Sequence, residues 1–203
     1  MSRPEVRVSA KSKPSKQSAT DPIPPFTVHG LLPVGEYEVT LEELEASHLV
    51  HGAGRDPWDA KWRAKLVANL RTCVNVLRQA GVTEIYVDGS FVEDKPHPGD
   101  IDGYFHCTLM DYVNRDLHRR LNAADPNTTW TWENHARSPH GTSTKAQLPM
   151  WHTYRVEFYP HYEFNHSGIM DEYGQPMPFP SAFRQQRGTR KQKGILKIIE
   201  RTA

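Results

Sequence analysis

The densest chemistry in the chain lies between Asp88 and Asp102. Asp88-Gly89-Ser90 is followed, after nine residues, by Asp100-Ile101-Asp102. Side chains at i and i+2 of a strand share one face. Asp100 and Asp102 therefore present two carboxylates side by side, while Ile101 points away. Such carboxylates repel each other unless a cation or a proton sits between them. An all-oxygen donor set suits a hard cation, Mg²⁺ or Mn²⁺, which keeps waters and takes substrate phosphates as further ligands. Gly89 lets a phosphate approach the backbone closely. Ser90 adds a hydroxyl, and the amides after it can open a helix whose N-terminus favours an anion. A phosphate cradle followed by a carboxylate pair is a coherent site for phosphoryl or nucleotidyl transfer. Asp88 reads as a cap of the turn through its own backbone rather than as a metal ligand.

The elements around this segment follow from pattern and punctuation. Glu84–Asp88 is a short strand, rich in β-branched and aromatic residues, and Asp100–Cys107 is the next. Thr40 followed by Glu43 is a capping box, which starts a short helix from Leu41 to about Val50. Asp56-Pro57 then reads as N-cap and first helical position of a long helix over 57–80. Its apolar stripe is Trp58, Trp62, Leu66, Leu70, Cys73 and Leu77, and Gly81 stops it. Asp111 is placed to cap a helix through Leu121. A weak strand is predicted at Thr128–Trp132, a loop over 133–149, and a strong strand at Thr153–Tyr159. On that strand Arg155, Glu157 and Tyr159 share one face. Ser181 is a cap for a short helix, and Gly194–Ile199 docks as a last apolar segment.

Composition bounds the answer. The chain has 203 residues, 37 % hydrophobic and 24 % charged, which suits one globular domain. No run reaches the roughly 18 apolar residues of a membrane span. Two cysteines make neither a disulfide framework nor a thiolate zinc site, and a reducing, cytoplasmic compartment is the simpler expectation. Residues 1–20 hold five basic side chains against Glu5, and residues 184–203 hold seven against Glu200. With a net charge of +1, the body between is about −9, which suits a protein that holds cations centrally and meets phosphates at its margins. The Ser-, Lys- and Pro-rich residues 1–25 have no signal-peptide core and too few apolar residues to bury. They are read as a disordered basic arm, with the folded domain over 26–203.

Gly-Ser, nine residues, Asp-x-Asp on consecutive strands resembles the nucleotidyltransferase superfamily, the fold shared by DNA polymerase β and aminoglycoside nucleotidyltransferases. Minimal nucleotidyltransferases of toxin–antitoxin and phage-defence systems share it too. With LPVGEYEVTLEELEA and YVDGSFVEDKPHPGDIDGYF, residues 31–107 are similar to a bacterial and phage group of nucleotidyltransferase-like proteins. The resemblance implies an α/β (α+β) fold, a small mixed sheet flanked by helices. It implies a Mg²⁺- or Mn²⁺-dependent transferase that moves a nucleoside monophosphate from an NTP to a hydroxyl of RNA, protein or a small molecule, in a toxin–antitoxin or phage-related setting. Asp100 and Asp102 match the metal-binding pair of that superfamily. Glu157 is the candidate third carboxylate, with the alternative that it pairs with a nearby arginine. Gly89 and Ser90 would hold the terminal phosphates. Lys95 would neutralise the leaving group, or is a solvated loop lysine. A non-catalytic binding or antitoxin-like protein that kept the fold is the alternative function.

Other residues offer less. The histidines, among them His135, His140, His152, His161 and His166, fit no zinc spacing. His97, beside Asp100, and His161, beyond the Glu157 strand, have weak claims to touch a substrate. Ser90 lacks the G-x-S-x-G elbow of a hydrolase nucleophile. The basic stretch from Arg184 to Lys197 reads either as a phosphate-tracking surface or as the solvated face of a terminal helix.

Overall fold

The computed structural model describes residues 22–201. The predicted basic arm therefore lies outside the described residues except at its end. There Ile23 is 1 % exposed and packs in the core, so the folded body starts earlier than Phe26. The elements run β1 (Glu36–Val39), α1 (Leu41–Ala46), α2 (His48–His51), α3 (Ala60–Gln79), β2 (Ile85–Asp88), β3 (Ile101–His106), α4 (Leu109–Val113) and α5 (Asp116–Ala124). They continue with β4 (Ser138–Pro139), β5 (Ala146–Gln147), α6 (Pro149–Tyr154), β6 (Val156–His161), α7 (Phe179–Phe183) and β7 (Ile195–Ile198).

Five strands form one mixed sheet in the order β1-β7-β2-β3-β6. β1 is parallel to β7 and β3 to β6, while β2 is antiparallel to both β7 and β3. Alternation along these strands gives the sheet two different faces. Ile85, Val87, Ile101, Phe105, Val156 and Phe158 face the main core. There they meet the stripe of α3, in which Leu66, Leu70, Cys73 and Leu77 are all fully buried. The opposite face carries Tyr86, Tyr104 and Ile195 under Phe179 of α7, and in the same alternation Asp88, Asp102 and Glu157.

Several boundaries differ from expectation, each for a local reason. The Thr40/Glu43 capping box forms as predicted, but Ser47 interrupts the helix and caps α2 in turn. α3 starts at Ala60 because Asp59, not Asp56, accepts from the Trp62 N–H at 2.9 Å. Thr108 rather than Asp111 caps α4, and Arg115 in the left-handed region separates it from α5. The expected strand at Thr128–Trp132 is absent. The Trp130 N–H is taken by Asn122 Oδ1 and its indole by Asp125 Oδ2, so side chains replace a ladder. Pro149 opens α6, and Arg155 at φ 56° ends it. The strand thus begins at Val156, and Arg155 does not share the Glu157 face. Ser181 lies inside α7, whose N-cap is Pro178. Among the described residues no terminal helix follows. The basic stretch is a loop that leads into β7, an inner strand between β1 and β2. Cys73 and Cys107 are both free. Among the described residues no helix is long and apolar enough to cross a membrane.

Candidate functional site

Strand register assembles the carboxylates. Asp88 pairs with Asp102 across β2 and β3, and Asp102 pairs with Glu157 across β3 and β6. Three acidic side chains therefore lie in one row on three adjacent strands, at the edge of an open cleft of about 1010 Å³. The three differ in their partners, and those partners decide what each can do.

Asp88 is buried and faces Lys193, whose Nζ lies 3.0 Å from Asp88 Oδ1. The same ammonium donates to the Gly89 carbonyl at 2.9 Å and to Glu93 Oε1 at 2.7 Å. Burial pushes the Asp88 carboxyl up, against the pull of Lys193. Burial works the other way on Lys193, but Asp88 and Glu93 outweigh it and hold its pKa above the ordinary lysine value. Asp88 is thus part of a buried ion cluster under the Gly89 turn, a role for which turn capping was the sequence expectation. Lys193 was visible in the sequence only as one member of a basic run.

Gly89 has φ +77°, and a Cβ there would stand 2.3 Å from Asp102 Oδ2. Glycine is required twice over, by the left-handed backbone and by the carboxylate pressed against it. Gly89–Val92 is a single 3-10 turn rather than the start of a longer helix. Ser90 and Lys95 both line the cleft.

Asp102 is the unsupported member. Burial raises its pKa, and Asp100 and Glu157 add to the rise, while Lys145 and Lys193 oppose it. Among the described residues no donor makes a hydrogen bond to its carboxylate. Asp100 sits one residue before β3, and its Oδ2 accepts from the Trp151 indole N–H at 2.7 Å. Trp151 is itself covered by the Arg155 guanidinium, 4.0 Å from its ring. Glu157 is 1 % exposed and fully engaged. Its Oε1 accepts from Arg137 at 3.2 Å and from the Leu148 N–H at 3.1 Å, and its Oε2 from the Tyr159 hydroxyl at 2.7 Å.

The cleft also gathers cations. Arg55, Arg71, Arg78, Arg115, Arg119, Arg120, Arg184 and Arg201 each pair with a carboxylate elsewhere on the surface. Lys95, Lys145, Arg187 and Arg190 line the cleft, and none of these four makes an ion pair among the described residues. In an acidic body, unpaired cations converging on one cleft favour a polyanionic ligand. Ile169, Met170, Phe179 and Phe183 add apolar side chains to the lining.

Neither weak histidine candidate enters this cleft. His97 stacks on Trp62 and holds Asp59 Oδ2 at 2.9 Å. His161 ends β6, away from the carboxylates. Among the described residues no three His, Cys, Asp or Glu side chains converge as a ready-made metal group. Residues that sequence reasoning did not assign to the site are Trp151, Arg137, Lys145 and the Arg187/Arg190 pair. Only the last carried a signal, the charge of the run that contains it.

Fold and site together define a mixed α/β domain whose sheet delivers a row of carboxylates into a cation-rimmed cleft. Residues 24–199 match the model of a family of unknown function, DUF6932, and the chain belongs to that family. Neither the curated proteins nor the solved structures contain a match to it.

Proposed function

We propose that this protein is a Mg²⁺-dependent nucleotidyltransferase that moves a nucleoside monophosphate from an NTP to a hydroxyl of RNA, protein or a small molecule. The observation that carries the reading is Asp102. Among the described residues its carboxylate has no hydrogen-bond donor; it is crowded by Asp100 and Glu157 and opens on a cleft rimmed by Lys95, Lys145, Arg187 and Arg190, which are unpaired among those residues. A carboxylate held this way gains most from a cation.

The donor chemistry fits a hard ion. Asp100 and Asp102 supply oxygen ligands, and Mg²⁺ commonly takes one or two carboxylates with waters and substrate phosphates completing its shell. When bound, such an ion neutralises phosphate charge and favours the ionised acceptor hydroxyl. The chain's own residues do the rest. The Trp151 N–H holds Asp100 so that its other oxygen is left for the cleft. The Gly89 turn brings backbone close to the phosphates, with Ser90 beside it. The unpaired cations bind the triphosphate and the departing pyrophosphate. In the transfer the acceptor oxygen bonds to the α-phosphorus, the bond to pyrophosphate breaks, and the hydroxyl proton leaves to solvent. Glu157 serves as the third carboxylate only if Tyr159 or Arg137 lets go of it.

That engagement of Glu157 favours a second reading, a binding or regulatory protein that kept the fold without turnover. Labelling separates the two. Purified protein is incubated with each α-³²P NTP, Mg²⁺ or Mn²⁺, and total RNA or protein extract, beside an Asp100→Ala/Asp102→Ala control. Label transferred by the wild type and lost in the control supports the enzyme. No transfer with any NTP, together with no metal-dependent NTP binding, overturns the enzyme and supports the binding or regulatory protein.

A further inference from the structure

His106 and His161 are register partners at the ends of β3 and β6. Alternation puts them on the carboxylate face, four residues along from Asp102 and Glu157, or about 13 Å at the usual strand rise. The Tyr104 and Tyr159 pair lies between. The two imidazole rings have centroids 4.9 Å apart and planes at 76°. Two imidazoles that share one ion through nitrogen, at about 2.0–2.1 Å per bond and near-tetrahedral angles, place their centroids about 5 Å apart.

A hydrogen bond on His161 and an ion-pair contact on His106 indicate which nitrogen is free. Asn165 Nδ2 donates to the Pro160 carbonyl at 2.7 Å, and Asn165 Oδ1 accepts from the Tyr162 N–H at 3.1 Å. The amide orientation is therefore settled at both ends. Oδ1, 3.0 Å from His161 Nδ1, must accept, so Nδ1 carries the hydrogen and Nε2 the lone pair. On His106, Nδ1 lies 3.1 Å from Glu84 Oε2, an ion-pair contact rather than a hydrogen bond, and a carboxylate that only accepts favours the hydrogen on Nδ1 there too. Neither Nε2 has a hydrogen-bond partner among the described residues. Histidine ligands are presented in this way, with the far ring nitrogen donating to an oxygen that orients the ring. The His106 side chain is 41 % exposed, so solvent reaches the pair.

We propose that His106 and His161 form a two-histidine site for a borderline divalent transition-metal ion of the Zn²⁺ class, ligated through both Nε2 atoms. Water or an incoming donor fills the other positions. Imidazole nitrogen separates this site from the oxygen-lined Asp100/Asp102 pair, which suits Mg²⁺. The two ligands are 55 residues apart in the chain, so no local spacing motif announces them, and parallel pairing of β3 with β6 brings them together.

The test is Zn²⁺ calorimetry on the full chain at about pH 7.5, where imidazole is neutral, with Cu²⁺ electron paramagnetic resonance as a second readout. One Zn²⁺ per chain is expected. Binding weakens by on the order of tenfold or more in His106→Gln and in His161→Gln, and by about tenfold in Glu84→Gln. It is unchanged in His97→Gln and in Asp100→Asn/Asp102→Asn. Wild-type Cu²⁺ spectra show coupling to two nitrogens. Circular dichroism melting without metal checks that each variant folds. If a glutamine variant fails to fold, the wild-type spectrum and Glu84→Gln decide. Zn²⁺ uptake insensitive to the folded His106 and His161 variants, uptake that needs Asp100 and Asp102, or spectra without paired nitrogen coupling overturns the site.

Discussion

The Lys193 ammonium lies 3.0 Å from Asp88 Oδ1, with both side chains 2 % exposed. Lys193 stands two residues before β7 and Asp88 ends β2, so one buried ion pair ties the last strand to the turn that opens the cleft. Removing one partner of a buried pair strands the other charge and costs about 3–5 kcal/mol. Lys193→Met is expected to lose that much in urea unfolding. NTP binding falls with it, because the Gly89 carbonyl loses its donor.

The same pair sets a pH dependence of known sign. Asp88 and Glu93 hold Lys193 above its ordinary 10.5, over the opposing effect of burial. A raised folded pKa gives stability that is complete below the unfolded pKa and is lost as pH rises through the folded one. Wild-type stability should therefore fall above pH 10.5, and Lys193→Met should lack this alkaline loss. In the variant Asp88, already pushed up by burial, has no cation and takes up a proton on folding. The raised Asp88 carboxyl makes both proteins lose stability as pH rises from about 4, and without Lys193 the loss should run to higher pH in the variant. Urea midpoints measured across both ranges check the two slopes.

Gly89→Ala tests the close approach of turn and carboxylate. The new methyl would meet Asp102 Oδ2 at 2.3 Å in a left-handed backbone. Strain of that kind costs about 1–3 kcal/mol, and relief requires the turn or Asp102 to move. Metal-dependent NTP binding is expected to disappear while the melting transition remains cooperative. Retained binding would mean that phosphates do not use this turn.

The sequence made some of this legible and hid the rest for physical reasons. The Thr40/Glu43 box, the α3 stripe and Gly81 were readable because helix caps and apolar periodicity are local signals. β2 and β3 were readable within a residue or two for the same reason. α6 was missed because Pro149, a helix-starting residue, was read as a loop breaker, and this displaced the start of β6. Asp100 and Asp102 announced themselves by spacing. Glu157 was named only through the resemblance, and its place beside Asp102 depends on register between β3 and β6, which are far apart in sequence. Lys193 looked like one of several solvated cations, and only its place at the entrance to an inner strand buries it.

Trp151 is expected to act as a positioning residue for Asp100. Its indole N–H donates to Asp100 Oδ2 at 2.7 Å across 51 residues of chain. Trp151→Phe keeps most of the packing and removes the donor. A hydrogen bond to a charged group contributes about 1.5–3 kcal/mol, so metal-dependent NTP affinity should drop by on the order of tenfold to a hundredfold. Thermal stability should change far less. Wild-type tryptophan fluorescence should also respond to Mg²⁺ with NTP, and Trp151→Phe should lose that response. A variant that melts early and binds normally would assign Trp151 to packing alone.

Arg63 supports the site from beneath. It is fully buried and donates to three carbonyls, those of Leu49, Phe91 and Lys95. Its guanidinium sits between the Trp58 and Phe91 rings, 4.3 and 4.5 Å from their centroids. Two of the carbonyls belong to the segment that carries the Gly89 turn into Lys95, so one side chain on α3 holds the floor of the loop from Gly89 to Lys95. Burial pulls its pKa down, and the three acceptors and two ring faces are what keep the charge tolerable. Lysine has a single point of charge and cannot reproduce the planar fork. Arg63→Lys should therefore leave buried carbonyls unmet at about 1–3 kcal/mol each, and Arg63→Met should strand all three. Both variants should unfold at lower urea, with Met the worse. In both, proteolysis under native conditions should cut first within residues 89–98. Cleavage that instead starts elsewhere would show that α3, and not the loop, is what Arg63 holds.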